Sequence, residues 1–398
     1  MSKITIDPAL QAEVLRLARE HFESIVEIRR DIHRNPEIGF EVHRTAAVAA
    51  REMRALGLKV KENVGRTGVQ ADLEVPGATR RIAIRADMDA LPMDELRDKP
   101  YKSTVPGAAH MCGHDAHTAM LIGGARILKT LAPKLKTSVR FVFQPNEENL
   151  PGGAPAMIED GVLDGVDEIY GMHVWPLHDT GRVGICRGPA TAQPNEVYIE
   201  IKGVGGHAAE PQLAIDPILI AAQFLTNVQS VVSRAVDPQQ PAVFSITQFH
   251  AGTTTNVIPE SVKLAGTLRT YNKEIQALVR KKVDDLLKGL CAANGASYSL
   301  QFFEGYPVSL NALQSSDRVA AVMTQLLGAE HVRYPDRASM VAEDFGFYCE
   351  KVPGNFMFLG TRNLAKETGY MCHDPRFDID EDAMVYGMAH HALVALSY

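Results

Sequence analysis

Segment 110–118, "HMCGHDAHT", sets one cysteine and three histidines within nine residues. A thiolate and an imidazole are both good zinc ligands, and Gly113 between Cys112 and His114, having no side chain, lets both turn toward one ion. The same types also suit a thiol nucleophile with a histidine base, a role open to His110, His114 or His117. A third reading is a buried thiol beside a helix-capping histidine. The segment alone does not choose among them.

Three more features add donors. In "FQPNEEN" the adjacent Glu147 and Glu148 follow the apolar run "VRFVF". Such a pair is usually a solvated loop; in a metal hydrolase one carboxylate binds the ion while the other takes a proton from the attacking water. His173 in "YGMHVWP" and His373 in "YMCHDPRF" are each, in isolation, ordinary hydrogen-bonded histidines. Together with Cys112, His114 and Glu148 they complete a thiol, imidazole and carboxylate set suited to borderline-soft divalent ions. With no CxxC pair and no HExxH helix, a zinc ribbon or a zincin is excluded.

The elements that must position these residues alternate. An amphipathic helix through "LQAEVLRLAREHFESIVEIRRDIH" precedes strand patterns "RRIAIRADMDALP", "TSVRFVFQPNEE" and "DEIYGMHVWP", with helical periodicity after His114. This predicts an α/β layer whose strands end in polar residues at 85–89, 146–148 and His173, where open α/β sheets place their sites. From about residue 187 to 303 the order becomes βαββαβ, the ferredoxin-like unit. We expect it to be an inserted satellite domain, with 1–186 and 304–398 forming one discontinuous catalytic domain. Within the satellite, His207 follows a glycine-rich turn, "AGTTTNVIPE" supplies Asn256, and Arg269 in "AGTLRTYN" has the geometry to hold a carboxylate. The glycines match no phosphate-binding motif, and a turn histidine, a turn asparagine and a surface arginine are the plain alternatives.

Composition narrows the class. A net charge of -7 and no cluster of basic and aromatic residues argue against a nucleic-acid partner. The start "MSKITIDPALQ" lacks an apolar leader, and no apolar run is long enough to cross a bilayer, so a cytoplasmic protein without a membrane partner is expected. Five scattered cysteines do not resemble a disulfide framework.

Taken in order, "RRDIHRNPEIGFE", "IRADMDALPM", "HMCGHDAHTAML", "FQPNEE", "YGMHVWP", "GVGGHAAEP", "NVIPE", "EDFGFY" and "CHDPRFDID" resemble the amidohydrolase branch of the aminoacylase-type metallopeptidase family, which includes hippurate and indoleacetyl-amino-acid hydrolases. The resemblance runs from about residue 25 to 395. It implies a di-metal peptidase-like domain with helices around a mostly parallel sheet and a satellite lid. Cys112, His114, Glu148, His173 and His373 would bind two divalent ions (Zn, Mn, Co or Ni), with Glu147 as general base and Asp87 beside the metals. Related peptidases carry a ligand histidine two residues before that aspartate, where this chain has Arg85; Cys112 would replace it. The satellite would form a homodimer or higher homo-oligomer, with His207 reaching the other subunit's site to stabilise the oxyanion and Asn256 and Arg269 holding the substrate carboxylate. The implied reaction is hydrolysis of an N-acyl amino acid. The rivals are a dipeptidase or carboxypeptidase on the same scaffold, a thiol amidase, and a non-catalytic metabolite-binding protein. Many relatives have Ala before the glutamate pair; Asn146 and Asn149 here are expected to alter substrate choice.

Overall fold

The computed structural model describes residues 4–398. The chain divides into two compact units: the first runs to Ala190 and resumes over Ser309–Ala338 and Glu343–Tyr398, and the second comprises Thr191–Val308 with Ser339–Ala342.

The first unit begins with helix α1 (Pro8–Arg34), capped by the Asp7 carboxylate accepting from the Ala9 N–H (2.9 Å) and burying Val14, Leu17, Ile25 and Ile32 at helical spacing. Helix α2 (His43–Ala55) follows, then strands β1 (Lys59–Val64), β2 (Gly68–Leu73) and β3 (Arg81–Asp87). After helix α3 (His114–Thr130) come β4 (Ser138–Gln144), the short α4 (Ala154–Glu159), β5 (Glu168–Asp179) and β6 (Val183–Ile185).

The second unit contains β7 (Gln193–Lys202), β8 (Gly206–His207), α5 (Pro217–Ser230), β9 (Ala242–Ala251), β10 (Val257–Ile258), β11 (Ser261–Thr270), α6 (Lys273–Asn294) and β12 (Ser297–Glu304). Its main sheet runs β12-β7-β11-β9 and is antiparallel throughout, the strand order of the ferredoxin-like unit. Val197, Ile199 and Ile201 alternate inward on β7 against α5 and α6, while Tyr198 and Glu200 face out. The pair β8 and β10, too short to read as strands from sequence, forms a separate antiparallel ribbon.

The chain returns to the first unit through α7 (Leu313–Leu327), β13 (Val332–Arg333), α8 (Gly346–Cys349), β14 (Gly354–Arg362) and α9 (Ala383–Leu396). Its eight-stranded sheet has the order β1-β2-β4-β3-β5-β14-β6-β13. The central strands β4, β3, β5 and β14 are parallel, and the run from Ile82 to Asp87 and all of β4 are buried, as expected for strands covered on both faces. Helices α3 and α9 approach so closely that a Cβ on Gly123 would lie 2.2 Å from Met388 Sδ, and one on Gly387 2.1 Å from Met120 Sδ. The mixed α/β architecture with a mostly parallel sheet agrees with the sequence expectation. One detail differs: β5 does not end at His173 but continues to Asp179, because β14 pairs with it beyond the point, Gly171, where β3 stops. Among the described residues no helix is long and apolar enough to cross a membrane.

Candidate metal centre

The carboxyl end of β3 delivers Asp87 and, just beyond it, Asp89; that of β4 leads into Glu147 and Glu148; β5 carries His173. Cys112 and His114 flank Gly113, the N-cap of α3, whose φ of 91° is the left-handed backbone that favours glycine. A Cβ there would also lie 2.4 Å from Val174 Cγ2. His373 is brought in by its N–H, which donates to the Met111 carbonyl (2.7 Å).

Donor atoms of Cys112, His114 and His173 lie within 4.8 Å of one another, as do those of Cys112, Glu148 and His373, and those of His114, Glu147 and Glu148. Cys112 Sγ is 3.3 Å from His173 Nε2, and His373 Nε2 is 3.3 Å from Glu148 Oε1. His173 donates its Nδ1–H to the Val174 carbonyl (2.7 Å), which leaves the Nε2 lone pair facing the thiol, the tautomer a ligand needs. Both ring nitrogens of His114 are buried without a well-formed hydrogen bond, Nδ1 having only Asp89 Oδ1 at 3.5 Å, and Glu148 Oε1 has no aligned donor although His373 Nε2 stands 3.3 Å away. Buried polar atoms are rarely orphaned, so these fit a site that takes a cation. One thiol, three imidazoles and a carboxylate match divalent transition ions.

His117, by contrast, is consumed: its Nδ1–H donates to Asp87 Oδ1 (2.6 Å) and its Nε2 accepts from the Val174 N–H (2.9 Å). It spaces Asp87 from the strand that bears His173 and has no lone pair for an ion. Asp87 also receives Arg85 Nη1 (2.6 Å); burial alone would raise its carboxyl, but Arg85, His114 and His117 outweigh that and hold it well below the usual range.

Arg85, absent from any role in the sequence reading except as a lost ligand, is fully enclosed. It pairs with Asp87, with Glu343 (3.0 Å) and with Asp344 (2.9 Å), and its Nε–H donates to Gln144 Oε1 (3.0 Å). Glu343 and Asp344 belong to "EDFGFY", and only this long-range pairing assigns them a place. Asp344 Oδ2 also accepts from the N–H groups of Gly153 and Ala154 (both 3.0 Å), anchoring the far end of the glutamate loop. Burial, then Glu343, Glu148 and Asp344, push the Glu147 carboxyl well above its ordinary value, the direction a general base working near neutrality needs. Asn146 points into its own loop, donating Nδ2–H to the Asn149 carbonyl (2.9 Å).

The thiol-nucleophile reading fares badly. The hydrogen bond with Cys372, burial and Glu148 all raise the Cys112 proton affinity. The imidazole beside it, His173, is pushed down to about 3 by burial and by His117 and His114, so it is a poor acceptor for the thiol proton.

In the second unit His207 and Asn256 are neighbours, the Ala208 N–H donating to the Asn256 carbonyl (3.1 Å). Both are exposed and border a pocket of about 410 Å³ with Ile258 and Glu260. His207 Nδ1 accepts from the Ala209 N–H (3.0 Å), so the neutral ring carries its proton on Nε2. Arg269 is not with them. It stands toward the other end of β11, about 26 Å along the strand from Ser261, and donates Nη1–H to the Met340 carbonyl (2.7 Å). Asn256 and Arg269, both expected on the substrate's carboxylate side, thus stand apart within the unit, with most of β11 between them.

Residues 83–397 match the model of peptidase family M20/M25/M40. The chain is 42% identical over 299 residues to the N-acyl-L-amino acid amidohydrolase of Geobacillus stearothermophilus, covering 75% of this chain and 81% of the relative. It is 36% identical to thermostable carboxypeptidase 2 of Saccharolobus solfataricus, over 94% of this chain and 95% of that one. The crystal structure of a Bacillus subtilis protein described as a dinuclear metal-binding peptidase of the M20 family superposes with a TM-score of 0.83 at 33% identity, covering 95% and 98% of the two chains. With its strand-end donor cluster and these full-length likenesses, the chain belongs to peptidase family M20/M25/M40.

Proposed function

We propose that the protein is a metal-dependent amidohydrolase that cleaves N-acyl amino acids, of acetyl, benzoyl or indoleacetyl type, into a carboxylic acid and a free amino acid. The observation that carries this reading is the placement of the buried Glu147 beside a five-residue donor set, Cys112, His114, Glu148, His173 and His373. Two divalent ions (Zn, Mn, Co or Ni) held by those residues would supply Lewis-acid polarisation of the amide carbonyl and a more acidic water. Glu147 takes the proton of the attacking water and returns it to the leaving amine. Asp87, fixed between Arg85 and His117, is a permanent negative charge beside His114, 3.7 Å from its Nε2. His207, protonated on Nε2, donates to the oxyanion.

We further assign the second unit to a homodimer contact and a lid, with His207 and Asn256 serving the partner subunit's site and Arg269 engaging a substrate carboxylate separately. The strand length between Arg269 and the His207–Asn256 pair supports that division. A cytoplasmic location is in keeping with five cysteines that form no disulfide among the described residues.

Replacing Glu147 by Gln should lower kcat by about 10²–10⁴-fold while metal content, read by elemental analysis, stays unchanged. Unaltered turnover would remove Glu147 as the base. The named carboxypeptidase relative favours a second reading on the same scaffold. A panel of acetyl-, benzoyl- and indoleacetyl-amino acids against dipeptides decides between them, and preferred turnover of dipeptides would overturn the amidohydrolase assignment.

A further inference from the structure

Five cysteines are scattered along the chain, and folding sets two of them side by side. The Cys372 thiol is hydrogen-bonded to Cys112. The backbone holds the pair together: the His373 N–H that donates to the Met111 carbonyl (2.7 Å) joins the peptide following Cys372 to the peptide preceding Cys112. The Cα atom of each cysteine lies in one of these two bonded peptide planes. Disulfides close across Cα separations of about 4.4–6.8 Å, and two residues so joined need little backbone movement to reach them. The turn at 371–374, closed by the Asp374 N–H donating to the Met371 carbonyl (3.1 Å), carries His373 at φ 69°, uncommon for a residue with a side chain. It aims two neighbours apart, His373 at Glu148 (3.3 Å) and Cys372 at Cys112.

The two thiols differ in access. Cys112 is 8% exposed, with His173 Nε2 against its sulfur (3.3 Å), whereas Cys372 is only half-buried. Cys186 and Cys291 are 1% and 2% exposed. A small oxidant in solution therefore meets Cys372 before Cys112, and both before the two core thiols.

We infer that Cys112 and Cys372 form a reversible disulfide site, whose closure takes one ligand away from the metal centre. A hydroperoxide is the oxidant. The Cys372 sulfur attacks the peroxide, the O–O bond breaks, and a sulfenic acid and one water result. The Cys112 sulfur then attacks the sulfenic sulfur; the S–S bond forms, the S–O bond breaks, and the hydroxyl leaves as water with the Cys112 proton. In sum the two thiols give up two electrons and two protons, and hydrogen peroxide becomes two waters. A cysteine ligand is a thiolate and a disulfide sulfur is neutral, so the bond and the ion exclude each other at Cys112. A thiol reductant reverses the closure by exchange. The metal half of the inference rests on the ligand role proposed for Cys112; the disulfide half rests on the geometry of the pair.

The test treats the full-length metal-loaded protein with hydrogen peroxide. Free thiols are counted after denaturation, cross-linked peptides are mapped by mass spectrometry, and released ion is read with a chromophoric chelator. Two of the five thiols should be lost, the peptides bearing Cys112 and Cys372 should be joined, and bound metal should fall in proportion to the joined fraction. Dithiothreitol followed by fresh metal should restore all three readings. At the same dose Cys372→Ser should form no such link and keep its metal. Oxidation of Cys112 without a link to Cys372, or equal metal loss from the wild type and Cys372→Ser, would overturn the inference; the mapping on the wild type needs no variant to fold. A joined pair with its metal retained would reject the ligand role of Cys112, and the displacement with it. Thiol count and cross-link do not depend on the substrate, so they still judge the pair if the protein proves not to cleave N-acyl amino acids.

Discussion

Two groups of candidate site residues, one in each unit, are built in opposite ways. In the first unit, Asp87, His114, His117 and Arg85 are at most 1% exposed, and Asp87, Arg85 and His117 are each tied by hydrogen bonds before any substrate arrives. In the second, His207 and Asn256 are exposed at the surface, each held mainly by its own loop. The difference separates two tasks. Burial suits groups that hold a charge in fixed geometry, where an unpaired partner costs much; exposure suits the role proposed for His207 and Asn256, to meet a mobile ligand. Substitutions in the buried network around Arg85 should therefore show in stability, and those at the exposed His207 and Asn256 in turnover.

The sharpest way to break this contrast is Arg85→Met, which keeps the length of the side chain but leaves Asp87, Glu343 and Asp344 without their shared cation. Urea unfolding should show a loss of about 3–5 kcal/mol, and a loss below about 1 kcal/mol would mean the buried network is not what holds this end of the sheet. Next in size, His207→Ala should lower kcat about 100-fold and leave the melting temperature where it was; a lowered melting temperature with normal kcat would put His207 on the structural side. The smallest effect concerns acid. His390, on α9, is fully buried with both nitrogens unpartnered, and burial pushes it from 6.5 to about 3. Between those values the unfolded chain binds more protons than the folded one, so stability falls as pH drops from about 6.5 toward 3. At pH 5 this ring alone should cost about 2 kcal/mol. His390→Leu should then gain on the wild type as pH is lowered from 7 to 5, and an equal pH dependence in the two proteins would exclude it.

Much of this organisation is written in local patterns. The alternation at 197–201 and the helical stripe of α6 are enough to call for the βαββαβ order, and the polar residues after β3 and β4 point to the sheet's carboxyl end. Cys112, His114, Glu148 and His373 were legible as candidate donors because the types and spacing are unusual. Arg85, Asp89, Glu343 and Asp344 were not, since a charged residue carries no local sign of the partner it will find; Arg85 meets Asp344 across 259 positions of chain. Strand β1, "KVKENV", escaped for the opposite reason: its only fully buried residue is Val64, so it has no apolar period to read. The separation of Arg269 from Asn256 was equally hidden, because nearness in sequence is not nearness in space once an extended strand lies between.

Gly113 gives the donor cluster a weakness of an unusual kind. The residue has no functional atom, yet its left-handed backbone and its contact with Val174 leave no room for even a methyl group. A side chain there would swing the thiol on one side and the imidazole on the other out of alignment together. The metal centre is thus open to a stereochemical insult as well as to a chemical one: the spacing Cys-Gly-His is the imprint of a backbone path that only an achiral residue can follow.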